Sequence, residues 1–258
     1  MQKNILILHT DAQMQQWLGA AGNSEIHTPH LDQLAREGVY FPNAQTCSGV
    51  CMPARAALMT GRYPVASGVT CNEQVLPATE KTMGQYFDEA GYATGYFGKT
   101  HFGIGNGPEA MAQHGWQEYF GVADYNQYLR ENGLDLRYPE KRVADRRARY
   151  WNLGPSAIPE EHYFEKVVAD RALEFLQRPH ERPFLCVASW IAPHGPFTPP
   201  GRFAEMYDPA KLTLAPRSAN ELENTPEAFA RWVTQNQKYV NEAELRVFLS
   251  LVYGLISL

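Results

Sequence analysis

Cysteine is scarce in this chain. Its 258 residues include four, Cys47, Cys51, Cys71 and Cys186, and no two form a CxxC pair. That spacing argues against a structural zinc site and against a disulfide-dense secreted scaffold, while individual disulfides stay open. An excess of basic residues is missing too. The formal net charge is −5, which disfavours nucleic acid or an anionic membrane as partner. A small anionic substrate is still allowed, because a site can be locally positive on an acidic protein. Long apolar runs are absent: the one near the N-terminus, Ile5 to Thr10, stops at Asp11. It is too short for the core of a secretory leader, lacks a small-residue cleavage site, and no other run approaches a membrane span. A soluble, cytoplasmic protein is the expectation. The sequence also lacks internal repeats, low-complexity tracts and any clear linker.

What is present is an ordinary globular composition, 44% apolar and 20% charged, on a chain long enough to bury a substantial core. "NILILH" at 4–9 and "PFLCVASW" at 183–190 are continuous apolar runs of the kind that form strands buried on both faces. "YATGYFG" reads as a further strand. Helices carry visible punctuation. In "TPHLDQLAREG", Thr28 is placed to cap, Pro29 sits at the first position, Leu31, Leu34 and Ala35 form a stripe, and Gly38 ends it. "PARAALMTG" starts at Pro53 and stops at Gly61. "TMGQYFDEAG" puts Met83, Tyr86, Phe87 and Ala90 on one face. The stretch 160–178 is the longest helix, with Phe164, Val167, Val168, Leu173 and Leu176 at helical spacing. Residues 241–258 predict a helix that turns wholly apolar and ends without a cap. Residues 105–158 read as an irregular, aromatic excursion. Alternating strands and helices predict an α/β fold, a largely parallel mixed sheet sandwiched by helices, as one domain over 1–258.

In open α/β sheets, ligands gather beyond the carboxyl ends of the strands. Three groups fall there: His9, Thr10 and Asp11; Lys99 and His101 in "GKTHFG"; and His194 in "IAPHGPFTPP". Cys51 stands at a helix N-terminus, where backbone N–H groups favour an anion. Each residue also has an ordinary structural reading. Asp11 can cap, a single cysteine is most often a small buried hydrophobe, a lysine between glycines can be a turn residue, and each histidine can be a hydrogen-bonded core residue.

At "CMPAR" followed by "AALMTGR" the chain resembles the type I sulfatases of the alkaline phosphatase superfamily. Cys51, Pro53, Arg55, Thr60, Gly61 and Arg62 match their Cys-x-Pro-x-Arg and Thr-Gly-Arg signature. "TPHLDQLAREGVYFPNA", "AGYATGYFGKTHFG" and "APHGPFTPP" are similar to three further family segments, in the same order. The resemblance implies an alkaline-phosphatase-like fold and hydrolysis of small-molecule sulfate esters. It implies that a separate formylglycine-generating or sulfatase-maturing enzyme oxidises Cys51 to formylglycine, whose hydrate is the nucleophile. Arg55 would then orient the diol, Lys99 and His194 would neutralise sulfate oxygens, and His101 would bond the second hydroxyl. A divalent cation, Ca²⁺ first and Mg²⁺ or Mn²⁺ after it, would be held by Asp11 and the residue at 51.

Two departures qualify that picture. The family commonly has Asp-Asp or Asp-Gln at the first strand, where this chain has Asp11-Ala12, then Gln13. The family's remaining metal ligands lie in a segment beyond the region covered here. The chain is therefore expected to bind metal weakly and turn over little. A truncated fragment is expected to expose the apolar face of 244–258, and a naturally short form to bury it, in a homodimer for instance. Phosphonate or phosphate ester hydrolysis on the same scaffold is the nearest alternative, and a catalytically inactive oxyanion-binding relative is another. A thiol hydrolase using Cys51 with His101 or His194 leaves Pro53 and Arg55 unexplained. The aromatics Trp116, Tyr119, Phe120, Tyr125, Tyr128 and Trp151 read either as a leaving-group pocket or as core.

Overall fold

The computed structural model describes residues 2–105, 107–134, 153–216, 218, 220, 222–237 and 241–258. Four strands form one sheet in the order β1-β4-β2-β3: β1 is Ile5–Asp11, β2 Ala93–Gly98, β3 Glu118–Phe120 and β4 Phe184–Pro193. All three pairings are parallel. β4 is flanked on both sides, so its Leu185, Cys186 and Val187 are fully buried, the burial that its unbroken apolar run predicts. β1 lies at one edge of the sheet and alternates half-buried with exposed residues, leaving Leu6 and Leu8 in solvent.

The chain divides into two compact units. The first comprises 1–14, 39–142 and 158–194 and contains the sheet. Its helices are α2 (Cys51–Thr60), α3 (Pro64–Ser67), α4 (Met83–Glu89), α5 (Pro108–Gln113), α6 (Val122–Glu131) and α7 (Phe164–Gln177). Two apolar clusters account for its packing. One gathers Ala56 and Met59 of α2 with Tyr96, Phe102, Trp116 and Val187. The other packs Val168 and Phe175 of α7 against Phe97, Cys186 and Ala188. The second unit comprises 15–38, 143–157 and 195–258 and holds α1 (Pro29–Glu37), α8 (Glu227–Gln237) and α9 (Glu242–Ser257). Its core is Ile26, Tyr207, Leu212, Leu249 and Tyr253.

Several sequence expectations change. Within the stretch 105–158, residues 107–134 are not irregular but supply α5, β3 and α6, while 106 and 135–152 lie outside the described residues. β3, only three residues long, is too short to carry a readable strand pattern. Trp116 and Tyr125 are core, and Trp116 meets Tyr96 edge-on at 5.0 Å between ring centroids. Tyr119 and Phe120 line a cavity of about 440 Å³ that none of the strand-end candidates borders. Trp151 lies outside the described residues. Leu31 and Leu34 of α1 are exposed, so that helix buries no apolar stripe. Thr28 donates to Asp32 Oδ1 (2.9 Å) and accepts from the Gly19 N–H, in place of capping α1. α2 begins at Cys51, two residues before Pro53. In α9, residues Leu249 to Leu255 are buried, while Val247 is exposed. Gly254 is required there, because a Cβ would lie 2.2 Å from the Phe203 carbonyl oxygen.

Helical spacing assigned Leu173 to the buried stripe of α7, but it is 48% exposed, whereas Phe175 is 2% exposed. Urea denaturation is expected to find Phe175→Ala destabilising by about 3–5 kcal/mol and Leu173→Ala by no more than about 0.5 kcal/mol.

Candidate active site

Three parallel strands end on the same side of the sheet. β1 ends at Asp11, β2 delivers Lys99 and His101, and β4 delivers His194. Asp11 and Arg55 are buried, at 8% and 3% exposure. The Asp11 carboxylate oxygen Oδ2 pairs with Lys99 Nζ and lies 3.5 Å from Arg55 Nη2. Burial pushes the Asp11 carboxyl up. The Lys99 hydrogen bond and charge, with Arg55 and His194 adding, outweigh it and hold the pKa below the ordinary value.

Arg55 reaches this point from α2. Its Nη1 donates to the Ser189 hydroxyl and to the Lys99 carbonyl, both at 2.8 Å, and Nη2 donates to the Trp190 carbonyl at 3.4 Å. The Lys99 carbonyl also accepts from the hydroxyls of Tyr96 and Ser189, each at 2.7 Å. Lys99 N–H in turn donates to the Ser189 carbonyl at 2.8 Å. Close approach of β2 and β4 makes this possible, and it requires a glycine at 98. Gly98 has φ +108°, and a Cβ there would lie 1.9 Å from the Ser189 carbonyl oxygen.

Cys51 stands in the first turn of α2, partly buried and free. Arg55 follows it by four positions, which puts both on one helix face. Its Sγ–H faces Asn72 Oδ1 at 3.5 Å, and the same oxygen accepts from the Met52 N–H at 3.2 Å. The fully buried Cys186 differs: burial, with the charge of Glu118 adding, pushes its thiol up to about 12 and leaves it inert. The rest of the Thr-Gly-Arg signature is structural. Gly61 ends α2 at φ +68°, Thr60 Oγ1 donates to the Ala56 carbonyl (2.8 Å), and Arg62 pairs with Glu80 at 3.3 Å.

Two histidines are held neutral at pH 7. Burial lowers the His101 pKa, and the charges of Lys99 and Arg55 lower it further against the opposing pull of Asp11. Burial and Arg55 bring His9 down to about 4. His101 adopts φ +52°, a left-handed conformation costing a non-glycine residue about 1 kcal/mol, and its Nδ1 is buried without a hydrogen-bond partner. An unfilled acceptor or donor beside two cations is the observation that most marks this site for a ligand.

The structure thus brings Asp11, Arg55, Lys99, His101 and His194 into one charged cluster, with Cys51 one turn along the helix from Arg55. Ala12 adopts φ +63° and offers only a methyl group. Among the described residues no group of three His, Cys, Asp or Glu side chains is arranged to hold a metal ion. A hard cation requires six or more oxygens, and Asp11 Oδ2 faces two cationic side chains, so these residues by themselves do not fit one. Sequence reasoning missed Ser189, Tyr96 and Asn72. Ser189 had a signal, a polar residue inside an apolar strand, which must find an internal partner. Tyr96 and Asn72 had none.

Comparison with known proteins gives a consistent result. A family model described as Sulfatase matches residues 3–242. The chain is 36% identical over 238 residues to the "Uncharacterized sulfatase YidJ" of Escherichia coli K12, covering 89% of this chain and 46% of that protein. It is 34% identical over 228 residues to an "Ulvan-active sulfatase" of Formosa agariphila, covering 85% of this chain and 41% of that protein. The chain therefore spans about half the length of the curated relatives it matches. Among solved structures, phosphonate monoester hydrolases from Silicibacter pomeroyi and Agrobacterium radiobacter superpose with TM-scores of 0.78 and 0.75. Their identities are 21% and 22%, and each match covers 99% of this chain and 56% of the other. At that identity the likeness establishes the alkaline-phosphatase-like fold alone.

The site's electrostatics are open to direct measurement. The His101 ring is expected to titrate below its ordinary value of 6.5 in ¹H–¹⁵N spectra. Asp11→Asn, which removes the one charge that raises it, is expected to move the inflection lower still.

Proposed function

The chain belongs to the sulfatase family, and we propose that it carries the nucleophile and the oxyanion-binding face of a sulfate-ester hydrolase. The observation that carries this reading is the meeting of Arg55, Lys99, His101 and His194 beyond three parallel strand ends, on the helix face that begins with Cys51. A separate maturing enzyme converts Cys51 to formylglycine. In its hydrate one hydroxyl attacks sulfur and expels the ester's alcohol. The second then loses its proton and expels sulfate by re-forming the aldehyde, which water rehydrates for the next turnover. The free, partly buried thiol in the first turn of α2 suits that conversion better than the sealed Cys186.

The chain's own groups divide the remaining work. Arg55, fixed by Ser189, Lys99 and Trp190, orients the group at position 51. Lys99 and His194 meet the sulfate oxygens, where negative charge develops and where fixed donors in a poorly solvated site stabilise it most. His101, neutral at pH 7, exchanges a proton with a hydroxyl at position 51. Asp11 holds Lys99 in place through their ion pair.

Co-expression with a competent formylglycine-generating enzyme, followed by mass spectrometry of the peptide containing residue 51, is the first test. The expected product is the aldehyde or its hydrate, and an unaltered thiol overturns the nucleophile role. An aryl sulfate and an aryl phosphonate monoester are then compared as substrates. Faster turnover of the sulfate is expected, and Lys99→Ala is expected to lower it about 10²–10³-fold, the usual loss on removing one oxyanion donor. Faster turnover of the phosphonate replaces this reading by phosphonate ester hydrolysis. Inorganic sulfate bound through Lys99, with neither ester cleaved, replaces it by an inactive oxyanion-binding protein.

A further inference from the structure

β4 leaves its ladder at Ser189. Up to that residue it pairs in register with both β1 and β2, but the next β1 pair is Asp11 with Pro193. Trp190, Ile191 and Ala192 form the irregular stretch between, and His194 follows at once. The His194 N–H closes a turn on the Ile191 carbonyl at 2.9 Å. How these three residues are held therefore sets where His194 stands.

Glu165, in the first turn of α7, grips them from one side. Its Oε1 accepts from the Ala192 N–H at 2.9 Å, and its backbone carbonyl accepts from the Trp190 indole N–H at 2.9 Å. Arg55 donates to the Trp190 carbonyl from the α2 side. Without the sheet ladder, a buried N–H at Ala192 needs such an acceptor. We propose that Glu165 is a positioning residue that places His194 at the site, a role that rests on reading His194 as an oxyanion donor.

The environment of Glu165 agrees with a structural commitment of this kind. Burial pushes its carboxyl up to about 7, against the lowering effect of the backbone N–H groups of Ala192, Glu165 and Ile191. Among the described residues no charged side chain contributes to that shift. Lys166 on the same helix pairs with Asp170. The charged and titratable groups on the irregular stretch are Arg55, at the Trp190 carbonyl, and His194 itself.

The test uses the whole chain, with amide hydrogen exchange and ¹H–¹⁵N spectra of the wild type, Glu165→Ala and Glu165→Gln. Glu165→Ala is expected to speed exchange at Ala192 by about 10-fold or more and to shift the His194 cross-peaks, while Leu185 to Val187 keep their protection. Glu165→Gln retains an acceptor oxygen and is expected to stay within about 3-fold of the wild type. The Ala192 amide shift is expected to show an inflection near pH 7 in the wild type that vanishes in Glu165→Gln, a change that a purely space-filling role would not produce. Unchanged Ala192 exchange and His194 spectra in Glu165→Ala overturn the proposal. Should Glu165→Ala also lose protection at Leu185 to Val187, the Gln variant decides: persistence of the inflection overturns the proposal, and its loss upholds it. Inorganic sulfate is then titrated against the His194 ring resonances. Weaker binding in Glu165→Ala, by about 3-fold or more, is expected. Absence of sulfate binding in the wild type sinks the oxyanion reading, while the exchange data still decide the role of Glu165.

Discussion

The site depends on one buried guanidinium. Arg55 reaches from α2 into the gap between β2 and β4 and joins the Lys99 carbonyl, the Ser189 hydroxyl, the Trp190 carbonyl and the Asp11 carboxylate. A charge this deeply buried is tolerated only if its donors are satisfied and an opposite charge is near, and both conditions are met. Breaking such a pair by removing one partner costs about 3–5 kcal/mol, because the other charge is left stranded. The same bonds that stabilise the strand ends hold the helix that begins with Cys51.

That arrangement explains why the surrounding residues are what they are. Gly98 has no side chain because the Ser189 carbonyl occupies the space a Cβ would need. Ser189 interrupts an apolar strand because its hydroxyl accepts from Arg55 and donates to the Lys99 carbonyl. Asp11 balances two cations on one oxygen and so stays ionised in a place that would otherwise neutralise it. Lys99 and His101, two residues apart after the end of β2, are held differently: the Lys99 side chain is paired with Asp11, and burial with neighbouring positive charge lowers the His101 pKa.

Much of the scaffold was legible before any coordinates. The strand at Phe184 announces itself because a parallel strand buried on both faces needs a nearly unbroken apolar run; the run at Ile5 also marks a strand, although β1 lies at the sheet edge with Leu6 and Leu8 exposed. Residues at their carboxyl ends are candidates for any ligand, and Asp11, Lys99, His101 and His194 all lie there. Periodicity failed where it met the particulars of packing. It could not tell that Leu173 faces solvent and Phe175 does not, nor that α1 leaves Leu31 and Leu34 exposed. It missed β3, whose few residues hold no pattern long enough to read.

The sequence by itself determined the alternation of strands and helices, the spacing of the family motifs and the set of chemically capable side chains, because these follow from local pattern and from residue type. Only the tertiary structure decided that Arg55 bridges two strands, that Lys99 pairs with Asp11, and that Glu165 steadies the backbone before His194. Those contacts join residues 44 to 135 positions apart in the case of Arg55, and 27 apart in the case of Glu165. No local pattern encodes such a pairing, which exists only once the sheet has brought the strand ends together.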